Sequence, residues 1–280
     1  MPYSAEISRT NPSCFLFLID QSGSMNEPFG GSGRKKSEAV ADTINRLLQT
    51  LVLRCAKAEG VRDYYHVGVI GYGSRRVAPA LGGALAGQTL VPVSALANNP
   101  LRVEGRTRKI DDGAGGLVEQ RFKFPVWFEP VAHGSTPMCE ALVLAWNVLN
   151  DFLVQSPSCY PPLVVNITDG EPTDGDPLAN ALMVRELASA DGNVLLFNAH
   201  ISSSGQQPVE YPDREDQLTD PNARLLFRMS SPLPPPMQQT ARREGLRVTE
   251  TTGGFVYNAD LVSVIRFLDI GTRVDPKNLR

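Results

Sequence analysis

Five short apolar runs, near residues 14–19, 66–71, 163–168, 193–199 and 254–257, alternate with segments of helical period. Strands of this kind, interleaved with amphipathic helices, form a mostly parallel central sheet covered on both faces, so the expected fold is a three-layer, Rossmann-like α/β arrangement. After the first run, Val40, Ile44, Leu47, Leu48 and Leu51 repeat at helical spacing. Met138, Leu142, Ala145, Trp146, Leu149 and Phe152 do the same, in a helix for which Thr136 is the expected N-cap and Pro137 the first position. A last helix, Asp260 to Leu268, is expected to set Leu261, Ile265 and Leu268 on one face.

Two stretches are too long to be simple connections. Residues 74–135 are expected to hold one antiparallel edge strand at Thr89 to Val93, then an inserted β-hairpin in which Leu101 to Ile110 and Leu117 to Phe124 flank the turn DDGAGG. Residues 202–236 carry the PLPPP tract and read as an irregular loop with a short helical piece around Ala223 to Met229. The expectation is a single domain over residues 1–280, with a core at about 13–270, an insertion at about 97–131 and a long loop at about 202–236.

With 280 residues and 42% hydrophobic content the chain can bury a full core. Its formal charge of −3, from 27 basic and 30 acidic side chains, creates no overall attraction to nucleic acid or anionic membrane. Cys14, Cys55, Cys139 and Cys159 are scattered, form no CxxC pair and lie mostly in apolar segments, which fits reduced thiols in a reducing compartment. MPYSAEISRTNP has neither a basic start nor an apolar stretch, and Cys14 to Ile19 is far below the ~20 residues that span a bilayer. A cytoplasmic protein without membrane contact is expected, with DPKNLR simply ending the chain after its last helix.

The chemistry concentrates behind two of the strands. DQSGS, Asp20 to Ser24, follows the first apolar run and sets one carboxylate and two hydroxyls on the turn leaving it. Asp169, in VVNITDGEPTDGD, follows a second such run, and Thr136 stands in GSTPM before a helix. Ligands gather beyond the carboxyl ends of parallel strands where strand order reverses. If Ile19 and Thr168 end neighbouring strands there, Asp20 and Asp169 emerge side by side and need a cation between them. With Ser22, Ser24 and Thr136 added, the cage is all oxygen, which favours Mg²⁺, with Mn²⁺ as a substitute, over zinc or copper. With three neutral hydroxyls and only two carboxylates the ion is expected to be under-neutralised, especially if one Asp binds through water, which leaves a position for an external anion, best a partner's Asp or Glu.

In these residues the chain resembles the von Willebrand factor A (vWA) domain family with a complete metal-ion-dependent adhesion site. DQSGS matches the family's DxSxS, Thr136 its isolated threonine, and Asp169 with Gly170 its later aspartate, in family order. The resemblance spans roughly Ser13 to Leu268 and implies that Ser22, Ser24 and Thr136 ligate directly, while Asp20 and Asp169 bind directly or through water. Cytosolic bacterial members look most similar, some of them regulatory modules beside kinases, phosphatases or MoxR-type ATPases. The function implied is a non-enzymatic protein-binding module of a bacterial regulatory, stress or defence complex. Met25, His133, Gly134, Ser135, Gly170 and Glu171 would surround the metal and touch the partner.

Plainer roles compete for the same residues. Asp20 and Ser22 could form a turn, Thr136 cap a helix and Asp169 start an Asx-turn. Glu171, Asp174 and Asp176 read as loop and cap residues, and His66 and His200 as satisfied positions at strand ends. GGSGRKKS lacks the GK[ST] ending of a phosphate loop and reads as a glycine loop leading into a helix with a basic first turn. Arg102, Arg106, Arg108, Lys109, Arg121 and Lys123 form a basic ribbon on the hairpin that would suit an acidic partner or, in an RNA-associated vWA protein, RNA. A metal-dependent hydrolase is the other alternative; against it, there is no GxSxG elbow, and Ser22 stands where a haloacid-dehalogenase-type phosphatase has its second Asp.

Overall fold

The computed structural model describes residues 2–29, 33–73, 76–111, 116–202 and 207–272. The strands of the main sheet and of the inserted hairpin are β1 (Ser13–Gln21), β2 (Tyr65–Gly73), β3 (Ala78–Pro79), β4 (Val91–Pro92), β5 (Arg102–Asp111), β6 (Leu117–Val126), β7 (Leu163–Thr168), β8 (Leu195–Ile201), β9 (Val209–Glu210) and β10 (Phe255–Ala259). Among the described residues, eight of them form one sheet in the order β9-β10-β8-β7-β1-β2-β3, with β4 also on β2. The inner pairings β1–β2, β1–β7, β7–β8 and β8–β10 are all parallel. Their burial on both faces explains why they read as continuous apolar runs rather than as alternating ones.

Helices α1 (Lys36–Cys55), α2 (Val93–Asn98), α6 (Pro235–Arg243) and α7 (Leu261–Thr272) cover one face, where Phe15, Phe17, Val67, Val165 and Phe197 meet Ile44, Leu48, Leu96, Met237 and Phe267. On the other face, α3 (Met138–Gln155), α4 (Leu178–Glu186) and α5 (Pro221–Met229) bury Leu142, Leu149, Val184 and Leu226 against Leu16, Leu18, Val164 and Leu196. The three-layer α/β architecture is thus the one the alternation predicts.

Several details depart from the sequence reading. Antiparallel pairing occurs at both edges rather than one: β3 and β4 on β2, and β9 on β10. Each of these strands has two residues, too few for a periodic signal. The expected edge strand shrinks to β4 because α2 begins at Val93. The region read as a long loop ends in a helix instead: Pro235 lies in the first turn of α6, where its missing N–H costs nothing. In α7, Val264, Phe267, Leu268 and Ile270 face the core, whereas Ile265 is 42% exposed.

The hairpin β5–β6 stands apart as its own two-stranded sheet, paired from Arg102↔Val126 to Asp111↔Leu117; most of its turn lies outside the described residues. Its base enters the core through Phe124 and Val126. Asn45 of α1 then pins the returning chain. Its Oδ1 accepts from Trp127 N (2.8 Å) and Phe128 N (3.1 Å), and its Nδ2 donates to the Phe128 carbonyl (2.8 Å). This clamp feeds residues 129–136 toward the carboxyl end of β1.

Candidate functional site

From β1 the sheet grows through β2 in one direction and through β7, β8 and β10 in the other, so β1 and β7 flank the topological switch point. Ile19 pairs with Ile167, which brings Asp20 beside Thr168 and Asp169 just beyond it. Asp20 is 0% exposed. Its Oδ1 accepts from Ser22 N (2.8 Å) and its Oδ2 from Thr168 Oγ1 (2.6 Å). The backbone then turns into a single 3-10 turn, Gly23–Asn26, which brings Ser22 Oγ and Ser24 Oγ to 3.0 Å. Ser24 Oγ in turn donates to Asp169 Oδ1 at 2.6 Å.

Thr136 arrives on the segment that Asn45 holds. His133 N donates to the Gln21 carbonyl (2.8 Å), Gly23 N to the Gly134 carbonyl (3.0 Å) and Asn26 Nδ2 to the Ala132 carbonyl (2.6 Å). Gly73, at φ +142°, lets β2 approach closely; a Cβ there would stand 2.5 Å from the Gln21 carbonyl carbon. A Cβ at Gly170 would lie 3.7 Å from Thr136 Oγ1 and 3.8 Å from Ser24 Oγ, so both hydroxyls face the space over that glycine. The structure therefore gathers all five expected cage residues at one place. Among the described residues no three His, Cys, Asp or Glu side chains are grouped to hold a metal. The donor set is two carboxylates and three hydroxyls, hard oxygens that suit a hard divalent cation.

Thr136 is not the N-cap. Pro137 holds that position, and Thr136 bonds through its backbone, N to Thr173 Oγ1 (3.0 Å) and carbonyl from Thr173 N (3.0 Å), leaving its hydroxyl outside the capping. The cap comes from the loop after β7: Asp174 accepts from Cys139 N (3.1 Å) and Glu140 N (2.9 Å). Asp176 likewise accepts from Leu178 N (2.9 Å) at the start of α4. Both are the cap roles read from the acidic stretch.

Sequence reasoning missed two members of the site. Thr168 ties Asp20 to β7, and its position two residues before Gly170 on a strand end was the available signal. Lys36 carries no motif. It opens α1, is 3% exposed, and its Nζ reaches Asp169 Oδ2 at 2.7 Å and Glu27 Oε2 at 2.8 Å. Its place in the basic first turn read after the glycine loop, and the demand of two adjacent carboxylates for a cation, were the hints of it. Burial raises the Asp20 pKa above the usual carboxylate range, against the opposing hydrogen bonds from Ser22 and Thr168. Burial acts to lower the Lys36 pKa, but bonds from Asp169 and Glu27 outweigh it, so the ammonium is held charged.

Around the cage, His133, Gly134, Ser135 and Glu171 are exposed and Gly170 is half-buried. Glu171 Oε1 accepts from Asn222 Nδ2 of α5 at 2.7 Å. Met25 is a correction: it is 0% exposed, its side chain filling the core beneath the turn, so it offers no surface to a partner. His66 is another, because its buried Nδ1 has no hydrogen-bond partner. His200 stacks on Tyr257 at 4.8 Å, and its Nδ1 accepts from Asn258 N at 3.4 Å.

The basic ribbon divides by face. Arg102 and Arg106 are paired with Glu104, Glu129 and Asp42, and Arg106 and Arg108 lie over the Phe124 and Phe122 rings at 3.6 and 5.6 Å. Those rings are covered and offer no open platform for a base. Lys109, Arg121 and Lys123 are exposed on the opposite face. Of GGSGRKKS, residues 30–32 lie outside the described residues; the basic segment after them leads into α1 at Lys36, as expected.

No family model matches the chain, and no curated protein matches it. Solved structures with a similar backbone include the SpRpn10 VWA domain, at 14% identity over 68% of this chain and 76% of that one, with a TM-score of 0.39. The pilus adhesin SpaC from Lactobacillus rhamnosus GG is 14% identical over 81% of this chain but 28% of its own, with a TM-score of 0.44. The ArnB paralog VWA2 from Sulfolobus acidocaldarius is 15% identical over 71% of this chain and 36% of its own, with a TM-score of 0.36. These are likenesses of backbone alone.

Proposed function

We propose that this chain is a protein-binding module of the vWA type, without enzymatic activity of its own, that captures an acidic side chain of a partner through a divalent cation. One observation carries the reading: oxygens of Asp20, Ser22, Ser24, Thr136 and Asp169, from three distant segments, converge at the switch point of a parallel sheet. The cation is Mg²⁺, or Mn²⁺ in its place, since the donors are all hard oxygens. When bound, it supplies a Lewis-acid position that takes a carboxylate oxygen. Asp20 and Asp169 provide the charge that holds it, and the three hydroxyls complete the cage without cancelling more of that charge. His133, Gly134, Ser135, Gly170 and Glu171 form the rim on which a partner rests.

We assign the protein to a reducing, cytoplasmic setting within a bacterial regulatory complex. In support, all four cysteines are unpaired and three are fully buried. Affinity capture with the purified chain tests the reading. A co-purifying protein should elute with EDTA and be lost with Asp20→Ala; undiminished capture in EDTA would contradict it.

A further inference from the structure

We propose that Lys36 is a built-in counter-cation of the site, one that weakens its hold on the divalent ion and thereby sharpens its grip on a partner's carboxylate. The inference rests on the metal-bridged reading above and adds to it a residue that determines affinity and specificity.

The geometry is specific. Lys36 Nζ lies 2.7 Å from Asp169 Oδ2, while the other oxygen of the same carboxylate accepts from Ser24 Oγ at 2.6 Å. Asp169 is thus shared between the ammonium and the hydroxyl cluster. Both side chains are withdrawn from water, at 4% and 0% exposure. Lys36 is held there by its place at the start of α1, its backbone N donating to the Glu27 carbonyl at 3.0 Å. Glu27, its second partner, is 56% exposed at the side chain and therefore screened by solvent.

The charge balance gives the consequence. The carboxylates of Asp20 and Asp169 would together neutralise a divalent cation, and a neutral loaded site has little claim on a further anion. Lys36 cancels one of those charges across a buried contact, where charges are felt strongly. The loaded site keeps a net positive charge that Glu27, facing water, offsets only in part. Metal affinity falls and affinity for an incoming carboxylate rises. A lysine serving only to tie α1 to the loop after β7 would move both affinities in one direction, through the fold.

Isothermal titration of the full chain with Mg²⁺, followed by titration of the Mg²⁺-loaded protein with acetate as the minimal carboxylate, separates the two roles. Lys36→Met should bind Mg²⁺ at least about tenfold more tightly and acetate more weakly. Glu27→Gln, at an exposed position that does not threaten folding, should do the reverse, weakening Mg²⁺ and strengthening acetate. Unchanged Mg²⁺ affinity in both variants, or a parallel loss of both ligands in folded Lys36→Met, overturns the proposal. If Lys36→Met does not fold, Glu27→Gln decides alone. A wild-type chain that binds no Mg²⁺ at millimolar concentration defeats the metal reading itself; wild-type binding that the variants leave unchanged defeats only the role of Lys36.

Discussion

Asp20 shows how a buried carboxylate is kept in place: each oxygen has a donor, one from the backbone of its own turn and one from Thr168 on the next strand. Removing that second donor isosterically, Thr168→Val, should cost about 1–3 kcal/mol of stability in urea unfolding, because a buried acceptor loses its partner. Thr136→Ala should act differently. Its hydroxyl is outside the capping network, so Mg²⁺ affinity should fall on the order of tenfold in calorimetry while the unfolding midpoint barely moves. His200 supplies a pH dependence. Burial lowers its pKa to about 4, so the folded protein keeps the imidazole neutral where the unfolded chain already takes up a proton. The resulting stability is present above the unfolded value of about 6.5 and lost as pH falls toward 4; it amounts to about 1–3 kcal/mol. His200→Gln should flatten the difference in urea midpoints across that window. A variant profile parallel to wild type would contradict this. The five cage residues could be read from the chain because each follows a strand end or precedes a helix in recognisable order. Lys36 could not, since its role depends on α1 laying its first turn over a carboxylate 133 residues away.

At the scale of elements, the inner strands were legible as continuous apolar runs, because both their faces are buried, and the long helices by a periodicity sustained over many residues. The two-residue edge strands, the helix opened by a proline tract and the outward face of Ile265 were not, because tertiary contacts decide them. The hairpin illustrates both cases. Its strands and position were readable, yet deleting Asn98 to Val126 would also strip Phe124 and Val126 from the core. Its role is better tested on the outer face: Lys109→Glu, Arg121→Glu and Lys123→Glu together should weaken capture of an acidic partner while leaving Mg²⁺ affinity intact. Full capture by this variant would make the ribbon a solvated surface. Asn45 is the element-level keystone. Asn45→Ala leaves Trp127 N and Phe128 N buried without their acceptor, and should cost about 2–4 kcal/mol in denaturant unfolding.

For the whole molecule, one consequence of parallel topology organises everything else. Two adjacent parallel strands at the switch point deliver Asp20 and Asp169 to the same spot, and a third segment, routed past Asn45, adds Thr136. The rest of the sheet holds that convergence rigid. The most direct test is anomalous scattering from crystals of the full chain grown with Mn²⁺. One strong peak is expected among the oxygens of Asp20, Ser22, Ser24, Thr136 and Asp169, with at least one coordinating oxygen that does not belong to the chain. No peak there, or an ion enclosed wholly by the chain's own oxygens, would contradict it.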